Sequence, residues 1–391
     1  MRLAVFVDQV FWREGDLIST DEPYALFLAS FAEVCEQLVL IGRAAPGGGR
    51  APYALDHPGI RIFPLPYYPN LYQLWRSDPR IYARIASAVR REAHRWDAFL
   101  LCGPHPIGQL IARECLRAGV PVALVVRQNL VEQMSAYRGP KRLAAVSAAR
   151  ILDWDFSRLA RGRTVFTVGD ELTRTYGKLT SRVHAHTACL VDEEQFRNFS
   201  RMRSGSNPNH LLCVGRLAPE KGQEYLLQAL SVLRSRGVEV QLDLVGTGAL
   251  EQYLRDRVAA LGLTTQVAFR GYVPYGPALF ALYQEAGVLV LPSLTEGLPQ
   301  VIGESLSAGL PTIATSVGGI PAFLTDGETA LLVPPRDPTA LAAAIERIVR
   351  DDRLGETLRR NGRALMQENT LEANRARIME AIRNELLAPA A

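Results

Sequence analysis

Short apolar runs, each closed by a polar turn and followed by residues at helical spacing, recur along the whole chain. In the first half Leu3–Val7, Leu38–Ile41, Ala98–Cys102, Val120–Val126, Thr164–Val168 and Val183–Cys189 read as buried strands. In the second half His210–Val214, Val240–Val245, Val267–Arg270, Gly287–Leu291 and Pro311–Ala314 do the same. A helix is expected from Thr20-Asp21-Glu22-Pro23 to Gln37, with Thr20 as its N-cap, after a loop over Gln9–Ser19. Further helices are expected after Gly103-Pro104-His105-Pro106 through Arg117, over Pro140–Arg161, Gln223–Arg236 and Leu371–Leu387. Strand and helix alternating in this way specify α/β architecture with parallel sheets, whose ligands sit at the carboxyl ends of the strands.

A length of 391 residues predicts two domains, each large enough for its own core. Residues Asn198–Asn209, rich in Ser, Asn, Gly and Arg, read as the linker, which divides the chain into 1–203 and 204–370. Hydrophobic residues make up 48%, and no apolar run reaches the length of a bilayer span. The opening MRLAVFVDQVFW reads as a first strand rather than a signal peptide. Five widely spaced cysteines without a C-x-x-C predict buried free thiols in a reducing, cytoplasmic setting rather than disulfides or zinc.

Charge is uneven. Residues up to Arg203 carry 27 Arg+Lys against 20 Asp+Glu, and the rest 17 against 20, so the first half is the one suited to an anionic partner. Arg84, Arg90, Arg91 and Arg95 follow a Pro- and aromatic-rich stretch, Arg61–Trp75, in which Tyr67, Tyr68, Tyr72 and Trp75 precede Arg76, Arg80 and Tyr82. That interleaving suits an anionic membrane surface; a solvated helix face beside a sugar-binding or packing loop also explains it and is preferred, because Arg is abundant throughout. No nucleic-acid motif accompanies the charge. Only Lys141, Lys178 and Lys221 are lysines, and where Arg is the default a retained Lys points to a need for its compact charge.

The richest stretch is 287–335. The apolar run Gly287–Leu291 leads through Thr295-Glu296-Gly297 into a helix opened by Pro299 and closed by Gly309, and then into a second apolar strand. Between Glu296 and Asp326 the one other ionisable residue is Glu304. It reads either as a solvated surface carboxylate or as one kept free to accept hydrogen bonds from paired hydroxyls, such as those of a ribose. Upstream, Gly215-Arg216-Leu217-Ala218-Pro219-Glu220-Lys221-Gly222 places two cations in a strand-to-helix loop, a suitable cradle for a diphosphate.

Together, Glu296-x7-Glu304 with Gly297-Leu298-Pro299, and Gly215-Arg216-x4-Lys221-Gly222, resemble the signature of retaining GT-B glycosyltransferases of family 4 (glycosyl transferases group 1). The resemblance implies an α/β GT-B fold of two Rossmann-like domains facing across a cleft. It implies that Leu371–Ala391 crosses back onto the first domain. In that family Glu304 would hold the donor ribose, and Glu296 with the backbone at Gly297, Leu298 and Pro299 would face the sugar. Arg216 and Lys221 would bind the diphosphate. Gly215 and Gly246 would let backbone approach it, and Tyr272-Val273 would contact the base. The implied reaction is metal-independent transfer of a sugar, with retention, from a nucleotide-diphosphate sugar (UDP-linked in most relatives) to a hydroxyl of a saccharide, lipid-linked or small-molecule acceptor. No resident cofactor is expected, and no Asp-x-Asp is obviously placed to seat a magnesium ion against a diphosphate.

The chain departs from the family pattern in several places. The first strand–helix loop has only Gly15, Arg127 stands where relatives end a strand with His, and Ala322 and Ala330 replace a common Glu and Gly. His105, at a neighbouring strand end, is the candidate to stand in on the acceptor side, or else a capping and packing residue. Two rivals remain. One is a nucleotide-sugar epimerase of the same fold. The other is a non-catalytic, membrane-peripheral protein that keeps the donor pocket.

Overall fold

The computed structural model describes residues 1–47, 49–69, 71, 73–74, 78, 80–127, 129–136, 142–187, 189–202 and 207–387. Tyr72, Trp75, Arg76, Lys141 and residues 203–206 of the expected linker lie outside the described residues. The chain forms two compact units, Met1–Ala188 with Asn374–Ala391, and Cys189–Ala373.

The first unit is built on β1 (Arg2–Glu14), β2 (Leu17–Thr20), β3 (Gln37–Ala44), β4 (Tyr53–Ala54), β5 (Ile60–Leu65), β6 (Ala98–Gly103), β7 (Val122–Val126), β8 (Val165–Thr167) and β9 (Val183–Ala185). Its parallel strands run in the order β5-β3-β1-β6-β7-β8-β9. Two expectations are corrected. The stretch read as a loop is the far half of β1 and the antiparallel β2, which pair from Glu14↔Leu17 to Phe11↔Thr20. The expected helix from Thr20 is a short one, Tyr24–Ala29, followed by a 3-10 turn, Ser30–Glu33. Thr20 ends a strand, and its hydroxyl accepts from the amide of Glu22 at 3.3 Å rather than capping a helix.

The second unit carries β10 (His210–Val214), β11 (Gln241–Val245), β12 (Val267–Gly271), β13 (Val288–Leu291), β14 (Thr312–Thr315) and β15 (Leu331–Val333), all parallel, in the order β12-β11-β10-β13-β14-β15. Alternate residues of each strand enter opposite cores, as the pleat requires. On one face Leu211, Cys213, Leu242, Leu244, Val288 and Val290 pack with the helices Gln223–Ser235 and Pro338–Arg350. On the other, Leu212, Val214, Leu289 and Leu291 pack with Tyr283 of the helix Pro277–Glu285 and with Ile302 and Leu306 of the helix Gln300–Ser307. This is a doubly wound sheet whose chain order reverses between β10 and β13.

The division between the units falls earlier than the expected 203/204 boundary. Phe199 of the helix Glu193–Met202, with Cys189 and Val191, is buried in the second unit's core, so a stretch whose composition suggested a linker begins as packed helix. Residues from Asn374 onward complete the first unit. Asn374 accepts from the amide of Thr187 at 2.9 Å, and Arg375 reaches the carbonyl of Ser30 at 3.0 Å and pairs with Glu33. After the helix Leu371–Ile382, a π-helical turn over Arg383–Leu387 brings Glu385 to Thr164 (2.6 Å) and to His184 (2.7 Å).

Candidate functional site

In the second unit the loops after β10 and β13 meet where the strand order reverses, the position at which doubly wound sheets take their ligands. Lys221 ends a 3-10 turn over Pro219–Lys221, and its Nζ lies 2.6 Å from Glu296 Oε1. The same oxygen accepts from Ser293 Oγ at 2.7 Å. Both partners are mostly shielded, with side-chain exposures of 20% for Lys221 and 9% for Glu296, so this pair is less screened by solvent than a surface ion pair. Arg216 is held differently. Its side chain is 73% exposed and lies 2.8 Å from Glu220, while its carbonyl accepts from Gln223 at 2.8 Å.

Close backbone contacts hold the loops in register. A Cβ on Gly246 would lie 2.0 Å from the carbonyl oxygen of Gly215, and one on Gly318 1.8 Å from that of Glu296. No side chain fits either gap, so glycine is dictated by contact as well as by the positive φ of both residues. Gly319 donates to the carbonyl of Gly297 at 2.7 Å, and Leu294 to that of Glu220 at 2.7 Å. Pro299 is the extended N-cap of the helix Gln300–Ser307. Leu298 and Val273 pack onto the apolar cluster beneath, and Tyr272 is 56% exposed.

Glu304 lies on the helix Gln300–Ser307 and is 4% exposed, so the solvated-carboxylate reading is wrong. Its Oε2 accepts from the hydroxyl of Tyr283 at 2.7 Å. Burial pushes its pKa up to about 7, and the Tyr283 hydrogen bond acts in the opposite direction by favouring the ionised form.

The structure therefore ties Gly215, Arg216, Lys221, Gly246, Glu296 and Gly297 into one web of adjoining loops, with Leu298 and the N-cap Pro299 leading into the next helix, which carries Glu304. Two residues of this arrangement were not foreseen, Ser293 and Tyr283. Ser293 stands three residues before Glu296 in an ordinary-looking turn. Tyr283 sits in an apolar helix where it reads as core, and its one signal is that a buried phenol needs a partner.

His105 belongs to the first unit, at the strand-order reversal between β1 and β6. Its Nε2 lies 3.5 Å from Asp8 Oδ2, and its ring packs between Phe6 and Tyr68. Tyr68 donates to Asp8 Oδ1 at 2.7 Å, and Arg43 Nε lies 3.1 Å from the same oxygen. Burial holds the His105 pKa below the ordinary histidine value, and neither ring nitrogen has a hydrogen-bond partner among the described residues. His105 is the N-cap of the helix Pro106–Arg117, but its side chain makes no capping bond. Arg127 places its guanidinium 3.6 Å from the ring centroid of Tyr24. In the basic stretch, Tyr68 turns inward at 3% exposure, while Arg84 pairs with Asp78 and Arg90 with Glu114.

Residues 208–351 match the family model described as Glycosyl transferases group 1. An uncharacterised glycosyltransferase of Methanocaldococcus jannaschii is 35% identical over 141 residues, 36% of this chain and 36% of that protein. The alpha-D-kanosaminyltransferase of Streptomyces kanamyceticus is 32% identical over 205 residues, 50% of this chain and 52% of that protein. The chain thus spans about half, or less, of the length of the curated relatives it matches. Among solved structures, the Anabaena protein HepE in complex with UDP superposes with TM-score 0.70 at 18% identity, covering 98% of this chain and 100% of that one. A sucrose-phosphate synthase from Thermosynechococcus elongatus gives 0.72 at 22% identity, covering 99% and 100%. The fold class is that of the GT-B glycosyltransferases, with two Rossmann-like units. No helix among the described residues is long and apolar enough to cross a membrane.

Proposed function

We propose that this chain is a retaining glycosyltransferase that moves a sugar from a UDP-linked donor to an acceptor hydroxyl without a metal. The observation that carries the reading is the meeting of Lys221 and Glu296 from two different loops at the reversal of the second sheet, followed by the buried Glu304 on the helix Gln300–Ser307. Each motif alone is common, but three ionisable residues from separate segments, fixed by glycine contacts at a ligand-binding edge, are not what packing requires. HepE, solved with UDP and with UDP-glucose, supports a UDP-sugar as the donor. The transferase names of the matched relatives support the reaction class.

In this reading the bond from the sugar C1 to the diphosphate oxygen breaks as the acceptor oxygen bonds C1 from the same face. The departing phosphate takes the acceptor's proton. Negative charge then grows on the diphosphate, where Lys221, Arg216 and the amides opening the helices Gln223–Ser235 and Gln300–Ser307 can meet it. Glu296 orients the sugar, and Glu304 accepts from the ribose hydroxyls. We assign the acceptor to the first unit. There Asp8, with a side chain 35% exposed, is the group that can reach a hydroxyl, while the sealed ring of His105 positions it.

A membrane contact, in this proposal, runs through the helix Arg142–Ala160. There Leu143, Ile151 and Trp154 are 81%, 68% and 59% exposed on one face together with Arg150 and Arg158. Co-sedimentation with phosphatidylglycerol vesicles, lost in Ile151→Ser/Trp154→Ser, supports it; equal binding by that variant removes it.

The main test is thermal shift with UDP-, GDP- and ADP-sugars, followed by NMR of the product's anomeric proton with a panel of acceptors. A UDP-sugar that stabilises the protein and yields product of retained configuration is the expected result. No stabilisation by any sugar nucleotide, or an inverted product, overturns it. Epimerised sugar nucleotide without acceptor-dependent UDP release transfers the assignment to an epimerase.

A further inference from the structure

Glu304 is a carboxylate in a nearly dry place. It is 4% exposed, and no lysine or arginine acts on it among the described residues. The titratable groups that face it are Tyr283 and Tyr275, on and just before the helix Pro277–Glu285, and the thiol of Cys189. All three are driven further toward their neutral forms by burial, so none supplies a countercharge. The Tyr275 hydroxyl is turned away, 2.7 Å from the carbonyl of Leu190 and 2.8 Å from Gln195 Oε1. That leaves Tyr283 as the donor to the carboxylate, fully buried, with its hydroxyl 2.7 Å from Oε2. Oε1 has no such partner among the described residues and is not sealed from solvent.

We propose that Tyr283 is the positioning residue of the nucleotide site: its hydroxyl pins Oε2 of Glu304, so that Oε1 is presented to the hydroxyls of a ribose. The proposal rests on the donor-site reading above. An ionised carboxylate only accepts hydrogen bonds; once protonated, one oxygen becomes a donor and the group loses part of its acceptor capacity toward two O–H groups. In this site burial works against ionisation, and the Tyr283 hydroxyl is the group that works for it. Geometry and protonation thus depend on the same bond. Removing it frees the carboxyl to rotate and moves its titration further up.

Tyr283→Phe keeps the ring in the core and deletes the hydroxyl. Isothermal titration with UDP and with 2′-deoxy-UDP, from pH 6 to pH 9, reads the consequences. For the wild type, UDP affinity rises with pH through about 7, and 2′-deoxy-UDP binds more weakly. For Tyr283→Phe, UDP affinity at pH 7 falls about tenfold, the scale of one hydrogen bond to a charged group. The preference for UDP over the deoxy analogue shrinks, the pH midpoint moves up, and the two proteins converge toward pH 9. A packing role alone would lower the melting temperature and leave affinity, pH midpoint and ribose preference unchanged, and that result overturns the proposal.

If the wild type binds neither nucleotide, the donor-site reading itself fails and takes this inference with it; if it binds both equally at every pH, the ribose contact of Glu304 fails, and this inference with it, while the donor site stands. If the wild type discriminates and Tyr283→Phe matches it, only the inference fails. Should Tyr283→Phe not fold, Glu304→Gln serves as the second variant. The proposal then requires that it lose both the pH dependence and the ribose preference, and retention of either refutes it.

Discussion

Replacing Lys221 with Met separates what the Lys221–Glu296 pair does for the fold from what it does for a ligand. At 2.6 Å the gross attraction is roughly 6 kcal/mol at an effective dielectric constant of about 20, most of it offset by the cost of drying two charges. What remains is about 2–3 kcal/mol, the scale of a charge-assisted hydrogen bond in a shielded setting. Lys221→Met leaves Glu296 with Ser293 as its donor among the described residues, so the loss should reach about 3 kcal/mol. For a unit of this size that lowers the melting temperature by about 6–10 °C. Glu296→Gln should cost less, because the amide can still accept from Lys221, and the double variant should be more stable than the sum of the singles. Affinity should split the other way. Lys221→Met should weaken UDP binding about ten- to a hundredfold, again on the charge-assisted scale, whereas Glu296→Gln removes the competing negative charge and leaves UDP binding equal or stronger. The measurements are calorimetric melting of the four proteins and titration with UDP. Additive losses of stability would refute the pairing energetics, and equal loss of UDP affinity in both singles would refute the competition of Glu296 and a diphosphate for one cation.

Three further expectations follow from geometry and burial. Gly318→Ala forces a Cβ to within 1.8 Å of the Glu296 carbonyl and should abolish UDP binding. Gly327→Ala, also at positive φ but in open space, should cost only about 1–2 kcal/mol of stability and leave UDP binding intact; equal behaviour of the two would remove the contact argument. Glu304 has a folded pKa raised to about 7, so it contributes stability that is complete below the ordinary carboxylate range and is lost as pH rises through 7. Glu304→Gln should therefore gain up to about 3 kcal/mol relative to wild type at pH 8 and little at pH 4, with a pH-independent offset as the contrary result. His186, 4% exposed, has its pKa pushed down to about 4, chiefly by burial and further by Arg127 and Arg377. Between the ordinary histidine value and pH 4 the unfolded chain binds a proton that the folded one does not, so stability falls on acidification, and His186→Gln should flatten that part of the urea-midpoint profile.

The second unit was legible because its signals are local. Strands such as His210–Val214 are continuous apolar runs, and the helix between Pro299 and Gly309 is punctuated at both ends. Lys221 could be singled out because Arg is otherwise the default cation. What could not be read is which side chains meet. Lys221 and Glu296 are brought together by the reversal of strand order, and Glu304 and Tyr283 by the packing of two helices on one face of the sheet. The first unit hid more. Phe11–Glu14 and Leu17–Thr20 form a hairpin around the turn at Gly15, but Glu14 and Asp16 at the turn make the segment look like a polar loop. Thr20 followed by Asp21-Glu22-Pro23 imitates a helix start, yet pairing with Phe11 claims Thr20 for the sheet. In the stretch taken for a linker, the polar composition masked Phe199, whose burial binds the helix Glu193–Met202 to the second core.

Because residues from Asn374 onward complete the first unit, its sequence is interrupted by the whole of the second. During synthesis, residues 1–188 emerge with Glu33, Thr164 and His184 still waiting for Arg375 and Glu385, which are made some two hundred residues later. The inserted unit has no such debt. Residues 189–373 contain Lys221, Tyr283, Glu296 and Glu304 with all of their described contacts, so under the proposed function a nascent chain would own a finished donor pocket before it owns a finished place for the acceptor.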